Sequence, residues 1–318
     1  MNLKRKLTTL GTLISLSAVI IYIINKFIYF ISTLDNFLDK SKGHYYKWRF
    51  GRVFYTKQGQ GSPILLIHDL SSHSSSHEWH EISEELSKTN TVYALDLLGC
   101  GRSDKPNLTY TNYLFVQLIT DFIKNVIGDK TDVIATGDSG SFTLMACYND
   151  NDIVNKIMLI NPSDLISLAK IPTKKTKAIK FCFDMPLIGT FLYNISTTRR
   201  HLDSVFKSHY FYDSKKVDKD LIRAYYEASH LGDSNPKYLL SSVKSRYVNV
   251  NILQCLKSIS NNIFIVVGDY NSESYGIVKQ YSNIIPSAEI ISISRTKHLP
   301  HLERPSQFIK QTAFLLED

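Results

Sequence analysis

The 318-residue chain is poor in cysteine: Cys100, Cys147, Cys182 and Cys255 stand far apart, with no C-x-x-C pair. A disulfide framework needs cysteine density in a short chain, so reduced structural thiols are the default reading. Glycine and proline number only 14 and 9, with no glycine period, no internal repeat and no low-complexity tract. With 43% hydrophobic and 21% charged residues, this excludes collagen-like and disordered chains, which cannot bury enough apolar surface to offset ordering entropy. Zinc-finger spacings and RRM signatures are also lacking, which leaves no footing for nucleic acid as a partner. Gly99 and Gly101 begin a glycine-rich loop, but no third glycine follows at dinucleotide spacing. His73, His77 and His80 cluster with Glu78. HEWH lacks the H-E-x-x-H spacing of zinc proteases, so solvated or cleft-lining histidines are the better reading. No metal and no cofactor is expected.

What the chain does have is one long uncharged run. Residues 7–25, LTTLGTLISLSAVIIYIIN, follow Lys4, Arg5 and Lys6 and precede Lys26 and a second apolar patch, FIYFISTL. Nineteen residues at ~1.5 Å each reach roughly 28 Å, close to one hydrocarbon core. No small-x-small exit site precedes Lys26, so an uncleaved single-pass membrane anchor is expected rather than a signal peptide. The basic cluster favours a cytoplasmic N-terminus and an extracytoplasmic remainder.

The formal charge of +8 is local. Residues 165–246 hold fifteen Lys and Arg against seven Asp and Glu, and the rest of the chain nets to zero.

Beyond the linker, ending near Gly43, short apolar strands alternate with helical patterns. YYKWRF and RVFYTK read as a hairpin; PILLIHD, TVYALDL, DVIATG, KIMLINP, NIFIVVG and AEIISIS read as strands. HEWHEISEELSK, NYLFVQLITDFIKNVI, SFTLMACYND, residues near 273–285 and the stretch from Pro305 read as helices. Such alternation predicts a parallel sheet covered on both faces. It stops between Asp164 and about Ser260, where several helices form an inserted cap. The expected units are 1–43 anchor and linker, 44–163 core, 164–260 cap and 261–318 core.

DVIATGDSGSFTLMAC places Gly137, Ser139 and Ser141 between a strand and a helix. A nucleophile on a sharp strand-to-helix turn needs small residues two before and two after it. G-x-S-x-S keeps that size pattern, and the Gly140 N–H at the helix start is placed to stabilise an oxyanion. The bland alternative is a serine helix cap.

Three further stretches carry a family resemblance over residues 45–318. ILLIHDL resembles the strand-3 His-Gly motif of α/β-hydrolases, ALDLLGCGRSDKP the loop after their fourth strand, and KHLPHLERP their histidine loop. The resemblance implies an α/β-hydrolase fold with a helical cap inserted after strand 6. It implies Ser139 as nucleophile, His298 as general base with His301 as rival, and the N–H groups of Leu70 and Gly140 as oxyanion hole.

The chain departs from that pattern twice. The family's glycine in the strand-3 motif is Asp69, and a carboxylate buried there opposes negative charge in a transition state. The usual acid position, in Gly268-Asp269-Tyr270-Asn271, holds Asn271. Asp164, just past Asn161, is the favoured acid, with Asp269 and Glu273 as alternatives; the N-cap of the first cap helix is an equally open role for Asp164.

These readings combine into a membrane-anchored serine hydrolase. It would cleave an ester, in preference to an amide, of a small or lipid-like molecule through an acyl-enzyme on Ser139. MPLIGTFLY and SHYFYD of the cap would line its pocket. The alternative is a non-catalytic, membrane-tethered binding protein that keeps the old pocket. Epoxide opening and dehalogenation are set aside, because those chemistries want an aspartate where Ser139 is expected. Oligomeric state is not legible in the sequence.

Overall fold

The computed structural model describes residues 3–40, 42–270, 273–312 and 314. Helix α1 (Leu3–Ser32) is followed by a hairpin of β1 (His44–Trp48) and β2 (Gly51–Gln58). β3 (Ser62–Ile67), short helix α2 (Ser83–Leu86), β4 (Asn90–Leu95), α3 (Asn112–Phe122), β5 (Thr131–Thr136), α4 (Ser139–Asn149) and β6 (Val154–Ile160) complete the first part of the core. Seven helices then lie between β6 and the next strand: α5 (Leu165–Leu168), α6 (Lys174–Asp184), α7 (Ile188–Ser196), α8 (Arg199–Val205), α9 (Lys219–His230), α10 (Pro236–Lys244) and α11 (Leu253–Ser258). The chain closes with β7 (Asn262–Gly268), α12 (Ser274–Ile284), β8 (Glu289–Ile293), α13 (Pro300–Glu303) and α14 (Pro305–Thr312).

The eight strands form one sheet in the order β1-β2-β4-β3-β5-β6-β7-β8. β2 runs antiparallel to both β1 and β4; from β4 to β8 the pairing is parallel. Parallel strands buried on both faces are near-continuously apolar, as in Ile64-Leu65-Leu66-Ile67, all fully buried. Leu65 and Ile67 face a core shared with α3 and α4, while Ile64 and Leu66 face Trp79, Ile82 and Phe308 on the other side. Phe115 of α3 stacks on Phe142 of α4 with centroids 5.1 Å apart. Truncating either ring to alanine costs about 3–5 kcal/mol.

β3 has β4 on one side and β5 on the other, so the chain reverses its winding there. The carboxyl ends of β3 and β5 diverge around a crevice, the usual place for a ligand site in an open α/β sheet. The inserted helices leave the sheet at β6 and return at β7. Their hydrophobic nucleus of Leu202, Phe206, Phe211 and Tyr225 joins Leu299 and Leu302 of the histidine loop.

Helix α1, at ~1.5 Å per residue, is about 45 Å long. It is long and apolar enough to cross a membrane over Arg5–Ser32. Its outward residues from Leu7 to Ile24 are exposed, whereas Asn25, Tyr29 and Ser32 near its end are buried against the cap.

Candidate active site

β3 delivers His68, Asp69 and Leu70 to the crevice. His68 Nε2 accepts the Leu97 N–H at 3.0 Å, so Nδ1 carries the proton and donates to the Asp69 carbonyl at 2.8 Å. This fixes the loop and turns the Asp69 side chain toward the end of β5.

β5 ends at Thr136, and the residue at the turn is Gly137, with φ +56° and its N–H still donating to Ile160 O at 2.9 Å. Asp138 is already helical and α4 starts at Ser139. Ser139 is fully buried, and its hydroxyl donates to the His68 carbonyl at 2.6 Å. The expected nucleophile therefore stands two residues beyond the turn, and the structure makes no hydrogen bond between Ser139 and His298. The small-x-x-x-small pattern fits equally well at Ala135 and Ser139, centred on Gly137. Reading the strand as running through Gly137 hid that register. Strand length, set by the β5–β6 ladder from Thr131 to Thr136, is the signal that separates the two.

The space above Gly137 is filled from across the crevice. A Cβ on Gly137 would lie 2.1 Å from Asp69 Oδ1. That oxygen accepts the N–H of Leu70 at 2.8 Å and of Asp138 at 3.1 Å. Leu70 is thus one converging donor. Asp138 is the second in place of Gly140, whose N–H closes the turn onto Gly137 O at 3.2 Å. Asp69 Oδ2 pairs with His298 Nε2 at 2.9 Å. Side-chain exposures of 19% for Asp69 and 21% for His298 leave the pair reachable.

Burial alone would neutralise both groups. It is outweighed in each case by the partner. The Asp69 carboxyl is held below its ordinary value by the His298 contact and by the N–H groups of Asp138 and Leu70. His298 is held above its ordinary value by Asp69. Each group thus favours the charged form of the other. Burial and the neighbouring Asp69 charge push the Asp138 carboxyl up to about 6, against a hydrogen bond from the Ser163 hydroxyl at 2.5 Å.

The histidine loop is held by an amide as well as by an acid, Glu303, which accepts the Lys297 N–H at 3.2 Å. Asn161, at φ +42° just past β6, donates to the carbonyls of Lys297 at 2.9 Å and His298 at 2.8 Å. The ring of Tyr210 lies 4.9 Å from that of His298, and its carbonyl accepts the His298 N–H at 3.1 Å. His298 Nδ1 hydrogen-bonds to no described residue.

The expected acids lie elsewhere. Asp164 is an N-cap: it accepts from Ser167 N at 2.7 Å and from Gln280 Nε2 at 2.6 Å, not from His298. Asp269 accepts from Arg295 N at 2.7 Å. Glu273 sits at the start of α12 and, with Asp138, Asn161, Asp164 and His298, lines a cleft of about 330 Å³. Asn271 lies outside the described residues. His301 is fully buried, stacked 4.5 Å from Trp79 and paired with Glu78 at 3.4 Å, so of the two candidate bases it is His298 that reaches Asp69. Asp69 was legible only as an anomaly, and its part in the site depended on knowing that Gly137 leaves it room.

Comparison with known proteins agrees with this architecture. Residues 64–311 match the model of the alpha/beta hydrolase family. A 2-hydroxy-6-oxo-6-(2'-aminophenyl)hexa-2,4-dienoic acid hydrolase of Metapseudomonas resinovorans is 28% identical over 114 residues, 35% of this chain and 39% of that protein. A soluble epoxide hydrolase of Corynebacterium sp. (strain C12) is 27% identical over 110 residues, 35% and 38% of the two chains. The matched stretch thus spans under two fifths of these relatives. Among solved structures, a serine hydrolase involved in carbazole degradation superposes with a TM-score of 0.72 at 18% identity, over 86% of this chain and 98% of its own. With the family model covering most of the chain, from β3 to α14, this protein belongs to the alpha/beta hydrolase family.

Proposed function

We propose that this protein is a membrane-tethered hydrolase that opens a small apolar epoxide through a covalent ester on Asp69, with His298 carrying the protons and α1 as the tether. One observation carries the reading: Asp69 Oδ1 occupies both converging N–H donors while Oδ2 faces His298. A site whose oxyanion donors are already taken has no place for a substrate carbonyl oxygen, which argues against acyl transfer. Displacement at an alkyl carbon makes no such demand in its first step.

The steps balance. Asp69 Oδ2 attacks an epoxide carbon, the C–O bond breaks, and the opening alkoxide takes the proton from His298 Nε2. Esterified Asp69 carries no charge, so His298 loses the partner that held its proton and becomes a neutral base facing the ester. It then takes a proton from water as hydroxide adds to Asp69 Cγ. The negative charge of that adduct falls on Oδ1, against Leu70 N–H and Asp138 N–H. Collapse expels the second alkoxide, which is protonated by His298. The new carboxylic acid passes its proton back to His298, which restores the ion pair and leaves a diol.

Support for the class comes from the soluble epoxide hydrolase among the relatives. The test is a single turnover of 1,2-epoxyoctane by the full chain in ¹⁸O-water. Label in the Asp69 carboxylate, read by peptide mass spectrometry, is expected, with turnover lost in Asp69→Asn and kept in Ser139→Ala. Label in the diol alone, or activity that survives Asp69→Asn, overturns the reading. Gly137, which supplies no side chain at the turn, also favours a second reading, a non-catalytic pocket. Binding of the epoxide without turnover in that experiment would select it.

A further inference from the structure

Helix α7 of the cap is built inside out. Its buried residues are Gly189, Thr190, Tyr193 and Asn194. Its apolar stripe is Ile188, Phe191, Leu192 and Ile195, with Ile188 51% and Ile195 54% exposed and Phe191 and Leu192 half-buried. That i, i+3, i+4, i+7 pattern faces a core in a water-soluble protein; here its two ends, Ile188 and Ile195, face away from the protein. The same inversion marks the end of α1, where Asn25, Tyr29 and Ser32 point inward while Phe27, Phe30 and Ile31 are exposed.

The two inverted helices meet through their polar sides. Asn194 Nδ2 donates to Asn25 Oδ1 at 2.9 Å, and Asn25 Nδ2 donates to the Leu187 carbonyl at 3.3 Å. Leu187 is held at φ +58° at the head of α7. Lys26 of α1 pairs with Asp233 beyond α9. A polar seam between helices with apolar outer faces is how helices associate in lipid.

Length sets the depth. From Arg5 to Asn25, ~1.5 Å per residue gives about 30 Å, one hydrocarbon thickness. If α1 crosses the membrane, Asn25 falls at the far boundary of the bilayer, and α7 is docked there. At nine residues, or about 14 Å, α7 is too short to span. Residues 170–200 carry seven Lys and Arg and a single acid, Asp184. Lys174, Lys175, Lys177, Arg199 and Arg200 are exposed on either side of the stripe.

From this we infer that α7 is an interfacial helix. Its Ile188–Ile195 stripe is buried among acyl chains beside the exit of α1, and the flanking lysines and arginines engage anionic headgroups. The inference rests on α1 crossing the membrane. Its occupant is the bilayer itself, chosen by continuity with α1 and by the basic rim.

The test uses the full chain in liposomes of brominated phosphatidylcholine with about 30% phosphatidylglycerol, an anionic surface. In a Cys182→Ser background, an environment-sensitive fluorophore is placed singly at Leu13→Cys, Ile188→Cys, Ile195→Cys and, on α12 of the core, Tyr275→Cys. Loss of emission at 13, 188 and 195 but not at 275 is expected, weakening at 188 and 195 when phosphatidylglycerol is omitted. Quenching at 13 alone overturns the inference and leaves the anchor standing. Absence of quenching at 13 removes the anchor and the inference together. A blue shift without quenching at 188 and 195 means that a second copy covers the stripe, and overturns it as well.

Discussion

Asp69 and Gly137 are a reciprocal pair: the carboxylate of one occupies the volume that any side chain on the other would need, with 2.1 Å between Asp69 Oδ1 and the Cβ position of Gly137. Neither residue is explained alone. A side chain at the turn would collide with Asp69, and without Asp69 the Leu70 and Asp138 N–H groups would lose the acceptor they share.

Gly137→Ser should therefore destabilise the fold by about 2–4 kcal/mol, combining left-handed backbone strain with overpacking. Adding Asp69→Gly removes the collision and should recover roughly half of that loss, a non-additivity expected of residues in contact. Urea denaturation of the two single variants and the double variant reads it. Additive losses would mean that the two residues are not coupled.

The Asp69–His298 ion pair makes stability depend on pH in a bounded window. Asp69 is lowered in the folded state, so its contribution is present above the ordinary carboxylate value and is lost as pH falls through the folded one. His298 is raised, so its contribution is present below the ordinary imidazole value and is lost as pH rises through the folded one. The pair should stabilise most between pH ~4 and ~6.5. The difference in thermal midpoint between wild type and His298→Gln should be largest there and shrink on both sides.

Asp138 works in the opposite sense. Its folded value is raised to about 6, so its ionisation penalises folding as pH climbs from the ordinary carboxylate range through 6. Asp138→Asn keeps the backbone N–H donor and removes that penalty. Its stability relative to wild type should rise between pH 4 and 7, measured by denaturant midpoints across that range.

Asp164→Ala should cost about 1 kcal/mol, the worth of an N-cap, and leave turnover nearly unchanged. Asn161→Ala should cost about 2–3 kcal/mol and also lower turnover, because it frees two carbonyls of the His298 loop and strains a left-handed residue. Parallel kinetics and melting curves separate the two roles.

Residues 25–42 should stabilise the cap. Glu227 accepts the N–H groups of Phe37 at 2.8 Å and Leu38 at 3.1 Å, and is itself almost fully buried. Removing residues 1–42 strands that carboxylate and should lower the melting temperature well below that of a chain lacking only residues 1–20. Equal melting temperatures would mean that the linker contributes nothing.

The fold and its crevice were legible because continuous apolar strands and the HDL, GRSDKP and HLPHLERP stretches are local signals. The positions of His298 and Leu70 at the crevice were legible for the same reason. The turn was misplaced because Gly137 and Ser139 both satisfy a small-residue pattern, and only the β5–β6 ladder sets where the strand stops. Asp164 kept two readings because an N-cap and a triad acid ask for the same residue type. The exchange of Asp69 for a side chain on Gly137 is a contact between residues 68 positions apart, and one sequence carries no trace of such a contact. The apolar face of α7 was read as pocket lining for a related reason: periodicity shows which residues share a face, not which way that face looks.

The bare turn at Gly137 also decides how this protein will be detected. Fluorophosphonates and fluorescent phosphonate probes report an activated serine, and Ser139, the expected nucleophile, spends its hydroxyl on the His68 carbonyl. On the proposed function, the protein would be silent in a proteome profiled with such reagents while fully folded and working. Carboxylate-trapping electrophiles such as small labelled epoxides are the reagents suited to it.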